Sequence, residues 1–233
     1  IVRDGLVMQH KYTVSAVEPL SNGAVCLDGN GDFIDFGNNN DLGTSNFTIA
    51  MWVKVDYTLN NYLMSKREDD ANRWYIRLNG DSKFQFYSKT SNTAILDFKT
   101  DHAYTERKNK WTHIAFTSDR SREVHTIYVN GAIDRIDSDS SNTTLDNSGN
   151  LYLNRFSTTE GSNSSSRVNY YSNVAMWNRE LSSSEVKSIM FKSYANLTDT
   201  ESTNLISWWS LDEGTGTTAN DSKGSVNGSA TFT

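Results

Sequence analysis

The chain has 233 residues, 12% of them aromatic with six Trp, a single Cys, and a formal net charge of -6. That length suits one large β-domain, because sandwiches and barrels commonly run undivided to about 200–250 residues. The acidic balance argues against a nucleic-acid partner, which needs a basic surface. No apolar run approaches the roughly 18 residues of a spanning helix, so no membrane insertion is expected.

Short apolar runs, separated by Asn, Asp, Ser, Thr and Gly, predict strands in chain order. Residues 23–27 and 33–36 come first. Cys26 has no partner for an internal disulfide and is expected to be buried as a small hydrophobe. Asp28, Asn30 and Asp32 repeat at i, i+2, i+4 like an EF-hand opening and are the candidate metal residues. The sixth and twelfth positions are Phe33 and Asn39, where that loop needs Gly and Glu, so Asx-turns are the simpler reading.

Phe47–Val55 is the clearest strand. Phe47, Ile49, Met51, Val53 and Val55 face one way while Ala50 and Trp52 face the other, which predicts a central strand covered on both sides. Strands follow over 62–66, 74–78, 84–87 and 95–98, with the charged run 66–70 expected as a solvated hairpin loop. Residues 111–131, WTHIAFTSDRSREVHTIYVNG, read as two strands and a polar turn, ending in the hairpin signal Asn130-Gly131 before a short strand to 136. Further strands are expected over 151–155 and 168–177, with loops over 137–149 and 158–166. A helix is expected from Ser183 to about Phe191, capped by Ser182 with Glu185 three residues on and stapled by Leu181 against Val186.

Catalytic patterns are missing from the sequence. The E-x-D-x-x-E string that places two carboxylates on one strand face of a retaining glycosidase does not occur. The His residues, at 10, 102, 113 and 125, lack metal-ligand spacing, and His113 and His125 read as structural. No G-x-S-x-G, P-loop or H-E-x-x-H is present. Binding chemistry remains. Sugars are held by flat aromatic faces with polar side chains at their rim, so Trp74, Tyr75, Tyr87, Tyr170 and Tyr171 are the candidate ligand-binding residues. Core packing is the competing use of the same rings.

Three passages in order resemble the laminin-G-like family of concanavalin A-like jelly rolls over about residues 20–191. They are CLDGNGDFIDFG with NFTIAMWVKVD, then KWTHIAFTSDRSREVHTIYVNG, then YYSNVAMWNRELSSSEVKSIM. The resemblance implies an all-β jelly-roll sandwich of two antiparallel sheets with one short helix near the C-terminal end. Ligands would be met at loops or on a concave sheet. The opening RDGLVMQHKY and the close NLISWWSLDEGTGTTANDSKGSVNGS look most like structural proteins of tailed phages and marine viruses. Many family members place an acidic pair near a structural calcium just before the "VaiW" strand. Here those positions are Ser172 and Asn173, so at most a weak structural calcium is expected, and no other cofactor.

The segment 204–233 resembles the start of a module, so the chain divides into a sandwich over 1–203 and a C-terminal strand and loop over 204–233. Residues 207–211 should add to a sheet edge of this module or of a neighbouring chain, with Trp208 and Trp209 at that interface and 215–228 as a surface loop. The reading is a non-catalytic structural or adhesion module at a virion surface or outside the cell. Its expected partners are neighbouring copies or other virion or surface proteins, with host glycans as a further class. The alternatives are a calcium-assisted carbohydrate-binding module of a secreted enzyme or adhesin, and a remote glycoside hydrolase or lyase of the same fold.

Overall fold

The computed structural model describes residue 19 and residues 23–29, 31–56, 60–139, 142–156 and 167–233. Expectations placed on RDGLVMQHKY, on Asn30 and on the loop 158–166 lie outside those residues. The first half carries β1 (Val25–Leu27), β2 (Phe33–Asp35), β3 (Phe47–Val55), β4 (Asn61–Arg67), β5 (Arg73–Leu78), β6 (Phe84–Thr90) and β7 (Thr93–Lys99). There follow β8 (Thr112–Asp119), β9 (Val124–Val129), β10 (Ala132–Ser138), β11 (Leu151–Leu153) and β12 (Asn169–Trp177). Helices α1 (Ser183–Ile189) and α2 (Asp199–Ser202) precede β13 (Leu205–Trp209), β14 (Thr218–Ala219) and β15 (Gly228–Thr231).

Two antiparallel sheets result. One runs β1–β12–β3–β8–β9–β10, with β13 also paired to β12; the other runs β14–β15–β2–β11–β4–β5–β6–β7. The period-2 alternation of β3 places its five apolar residues in the inter-sheet core, each no more than 3% exposed. Its other face meets α1. There Ala175, Ala50 and Ala115 stand opposite one another on β12, β3 and β8, with Trp208 and Tyr128 at the two ends of the row. Three small side chains let the helix approach, and Leu181, Val186 and Ile189 fill the space above them. Trp52 Nε1 donates to Met190 O at 3.0 Å, anchoring the chain just past the helix. The α1 capping box of Ser182 and Glu185 forms as expected, and Asn130 and Gly131 take the positive φ of 51° and 75° that a primed hairpin turn requires.

Three expectations are corrected. Cys26 is exposed. Its strand has one hydrogen-bonded neighbour, and because Leu27 points into the core, Cys26 points out. The run 66–70 is not wholly solvated. Lys66 stands one residue before the end of β4 with its side chain buried, donating to Asn38 Oδ1 at 2.6 Å and pairing with Asp41 at 3.0 Å. The stretch 215–228 contains β14, which pairs with β15, and β15 in turn pairs with β2.

Trp208 and Trp209 are buried within this chain, 1% and 0% exposed, instead of forming an interface with another. They are consecutive on a strand, so they face opposite ways. Trp208 meets Trp177 edge-on at 6.1 Å beneath the helices. Trp209 lies 4.1 Å from Phe36 in the inter-sheet core and donates to Val226 O at 2.8 Å. The last 30 residues therefore complete both sheets.

Candidate functional site

The two outer faces of the sandwich differ. The helices cover the central part of the seven-stranded face, and the cluster they bury includes no residue of the eight-stranded sheet. Register builds that second face in three rows across β4, β5, β6 and β7. One row is Arg67, Arg73, Lys89 and Ala94; the next is Ser65, Tyr75, Tyr87 and Asp97; the third is Tyr62, Arg77, Gln85 and Lys99. Tyr75 and Tyr87 stack with centroids 5.1 Å apart, and Tyr62 stands edge-on to Tyr75 at 5.2 Å. Phe156, just beyond β11, stacks on Tyr62 at 4.4 Å. Arg77 lies 5.2 Å from the Tyr75 centroid, Arg67 5.2 Å and Arg73 5.9 Å from that of Phe156. These are cation–π distances. A second ring pair, Phe33 and Tyr152, carries Arg155 4.2 Å above Phe33.

Hydrogen bonds hold this face in place. Arg77 Nε donates to Gln85 Oε1 at 2.8 Å, Arg77 Nη1 to Tyr62 Oη at 3.3 Å, and Gln85 Nε2 to Asp97. Arg67 and Arg73 share Asp70, whose carboxyl the Arg67 hydrogen bond holds below the usual range. Burial pushes the Tyr75 phenol up to about 12, outweighing the Arg77 charge, so it stays a neutral donor. Tyr62, Tyr87 and Phe156 remain half-buried, so part of each ring is open to solvent.

Of the five expected ligand residues, only Tyr75 and Tyr87 come together here. Trp74 is a correction: it stands one residue before Tyr75, points inward at 0% exposure, and stacks on Phe86 at 5.9 Å. Tyr171 is another. It is fully buried, its hydroxyl donates to Asn154 Oδ1 at 3.2 Å, and burial pushes its phenol far above the ordinary range. Asn154 belongs to a closed amide network, in which Asn61 and Asn169 bond reciprocally at 2.9 Å across the two sheets. Tyr170 faces out from the other sheet, with Lys54 Nζ 4.1 Å from its centroid and Trp111 6.5 Å away, so it shares no surface with Tyr75. The sequence reading missed Tyr62, Phe156 and the flanking cations. Their signal was the alternation within 62–66 and 74–78, which becomes informative only once strands are paired.

Of the metal candidates, Asp28 and Asp32 lie among the described residues. Asp32 is buried, and its two carboxylate oxygens accept from Asp28 N at 3.0 Å and from Thr233 N at 2.9 Å. Asp28 points to solvent. At the family position, the Ser172 hydroxyl donates to Gly23 O at 3.4 Å. Among the described residues no three His, Cys, Asp or Glu side chains group as metal ligands. A cavity of about 280 Å³ lies at the sandwich edge and is lined by Val25, Ile34, Leu211, Ala230 and Phe232. Its single carboxylate, Glu213, is engaged by Asn220 at 2.7 Å, which leaves little convergent polar chemistry.

A family model described as the concanavalin A-like lectin/glucanases superfamily matches residues 28–187. No curated protein matches the sequence. Among solved structures, a Bacteroides ovatus protein whose description assigns it carbohydrate binding is similar at a TM-score of 0.67 and 18% identity, covering 92% of this chain and 60% of that one. The binding domain of Paraclostridial Mosquitocidal Protein 1 is similar at a TM-score of 0.56 and 19% identity, covering 72% and 42%. The receptor binding domain of botulinum neurotoxin D reaches 0.55 at 13% identity, covering 72% and 43%. At these identities the likeness is one of fold, and the chain spans less than two thirds of each of those structures.

Proposed function

Because the chain belongs to the concanavalin A-like lectin/glucanase superfamily, we propose that it is a non-catalytic carbohydrate-binding module whose contact surface is the outer face of the eight-stranded sheet. Fold membership alone leaves function open. One observation carries the reading: the stacked, half-buried rings of Tyr62, Tyr87 and Phe156 sit among polar side chains on the sheet face opposite the one the helices cover. Flat rings bind the apolar face of a sugar while the polar side chains around them fix its hydroxyls. The assignment of carbohydrate binding to the similar Bacteroides ovatus structure supports the same class. Such a module works where polysaccharide is met, outside a cell or at a virion surface.

Calorimetric titration of the chain against a panel of soluble polysaccharides tests this. Saturable binding should weaken by about tenfold or more in Tyr87→Ala without a matching loss of melting temperature. Reducing ends should not accumulate. Equal binding by Tyr87→Ala, or turnover abolished by changing one Glu, overturns the reading.

A second reading, an adhesion or virion-surface module touching neighbouring copies, draws on β10. It is an edge strand whose Ile133 and Ile136 are 48% and 58% exposed, and exposed apolar edges favour pairing with another chain. Light scattering after size exclusion tests it, and a monomer at all concentrations removes it.

A further inference from the structure

We propose that the ligand of this face is an acidic polysaccharide, one built of uronate sugars whose carboxylates are held by the two cationic rows flanking Tyr75 and Tyr87. The inference rests on the glycan-binding reading above and names its substrate class.

The register supplies the argument. Arg67, Arg73 and Lys89 stand directly opposite one another on three adjacent strands. Like charges in that relation destabilise a sheet, so a purely structural face gains nothing from them. Asp70, its side chain 82% exposed in the β4–β5 turn, pairs with this row and serves two arginines. Among the described residues no carboxylate lies within ion-pair distance of Lys89. Across the ring row, Arg77 spends donors on neutral partners, Gln85 and Tyr62, and Lys99 is exposed at the far end. Asp97 is the anion on these rows, and Gln85 engages it. A face with this excess of cations, on a chain of net charge -6, is complementary to a polyanion.

The rings narrow the class. A sugar stacked on Tyr87 or Phe156 projects its ring substituents sideways, toward the strands that bear Arg73, Lys89, Arg77 and Lys99. In a uronate the carboxylate is attached to the ring carbon itself. It therefore reaches those cations without a flexible arm, and guanidinium matches a planar carboxylate with paired hydrogen bonds. Phe156, Tyr62, Tyr75 and Tyr87 form a continuous run of rings across three strands, so successive sugars of one chain can meet successive rings.

The test uses three soluble probes against the whole chain: polygalacturonate, the same polymer fully methyl-esterified, and dextran sulfate. Polygalacturonate should bind, and esterification should weaken it by about tenfold or more, as expected for losing charge-assisted hydrogen bonds. Added salt should weaken polygalacturonate and leave any binding of the ester unmoved. The double change Lys89→Gln/Lys99→Gln should weaken polygalacturonate and spare the ester, while Tyr87→Ala weakens both. If the ester binds as well as the acid and only Tyr87→Ala matters, the acidic class falls and the glycan-binding reading stands. If dextran sulfate binds more tightly than polygalacturonate, the commitment to uronate is overturned. If no polysaccharide of any kind binds, both readings fall together.

Discussion

Cys26 and Tyr170 show how much one residue of strand parity decides. They are cross-strand partners on the outer face, while Leu27 and Tyr171, each one position on, are buried in the core. The thiol is therefore accessible, and it should react with an aromatic disulfide reagent in the folded protein as fast as in denaturant. Labelling that waits for unfolding would show β1 turned over. His113 is the opposite case. It is buried against Trp52 at 5.4 Å, its Nδ1 lacks a hydrogen-bond partner, and burial alone drives its pKa from 6.5 down to about 3. The folded state thus refuses a proton that the unfolded chain accepts. Stability is full above the unfolded value and falls as pH drops below about 6.5, by up to about 1.4 kcal/mol per pH unit from this group. Burial lowers His125 in the same direction. Denaturant unfolding between about pH 6.5 and 5, above the ordinary range of free carboxylates, should show this slope. The slope should be shallower by about one proton in His113→Phe. An unchanged slope would mean that His113 is hydrated.

At the level of elements, α1 and β13 were legible for different reasons. The capping box of Ser182 and Glu185 is a local pattern, and it forms as written. The same pattern, Thr198 with Glu201, opens α2, but that helix has only four residues and no hydrophobic period to announce it. Glu201 caps α2, pairs with Lys192 at 2.7 Å, and its hydrogen bonds hold its pKa at about 2 in spite of burial. For β13, consecutive Trp208 and Trp209 signalled a strand covered on both faces, but the partner strand, β12, was beyond local reach. Ending the chain after Thr203 would remove one strand from the first sheet and two from the second. That uncovers Phe36 and Trp177, and loss of each large buried ring costs about 3–5 kcal/mol. We expect aggregation, or a melting temperature lowered by more than about 10 °C. A soluble truncation with unchanged melting would show that the tail only decorates the sandwich.

Over the whole molecule, segments far apart in sequence meet in space. Thr233 N bonds Asp32 at 2.9 Å, and β15 pairs with β2 across almost 200 positions. With the tail inside both sheets, calorimetry should give one transition, with calorimetric and van't Hoff enthalpies agreeing. Two transitions would restore a separate unit after residue 203. By itself the sequence determined the all-β class, most strand positions, the capped helix and the family, because alternation, turn residues and capping boxes act within a few residues of each other. It also placed Tyr75 and Tyr87 among the candidate binding residues. Only the tertiary structure decided that Trp74 and Tyr171 are core, that Tyr170 belongs to the other face, and that Arg73, Lys89, Arg77 and Lys99 flank the rings. Strand pairing sets which side chains stand opposite one another, and a shift of one residue in register turns every side chain of a strand to the other face.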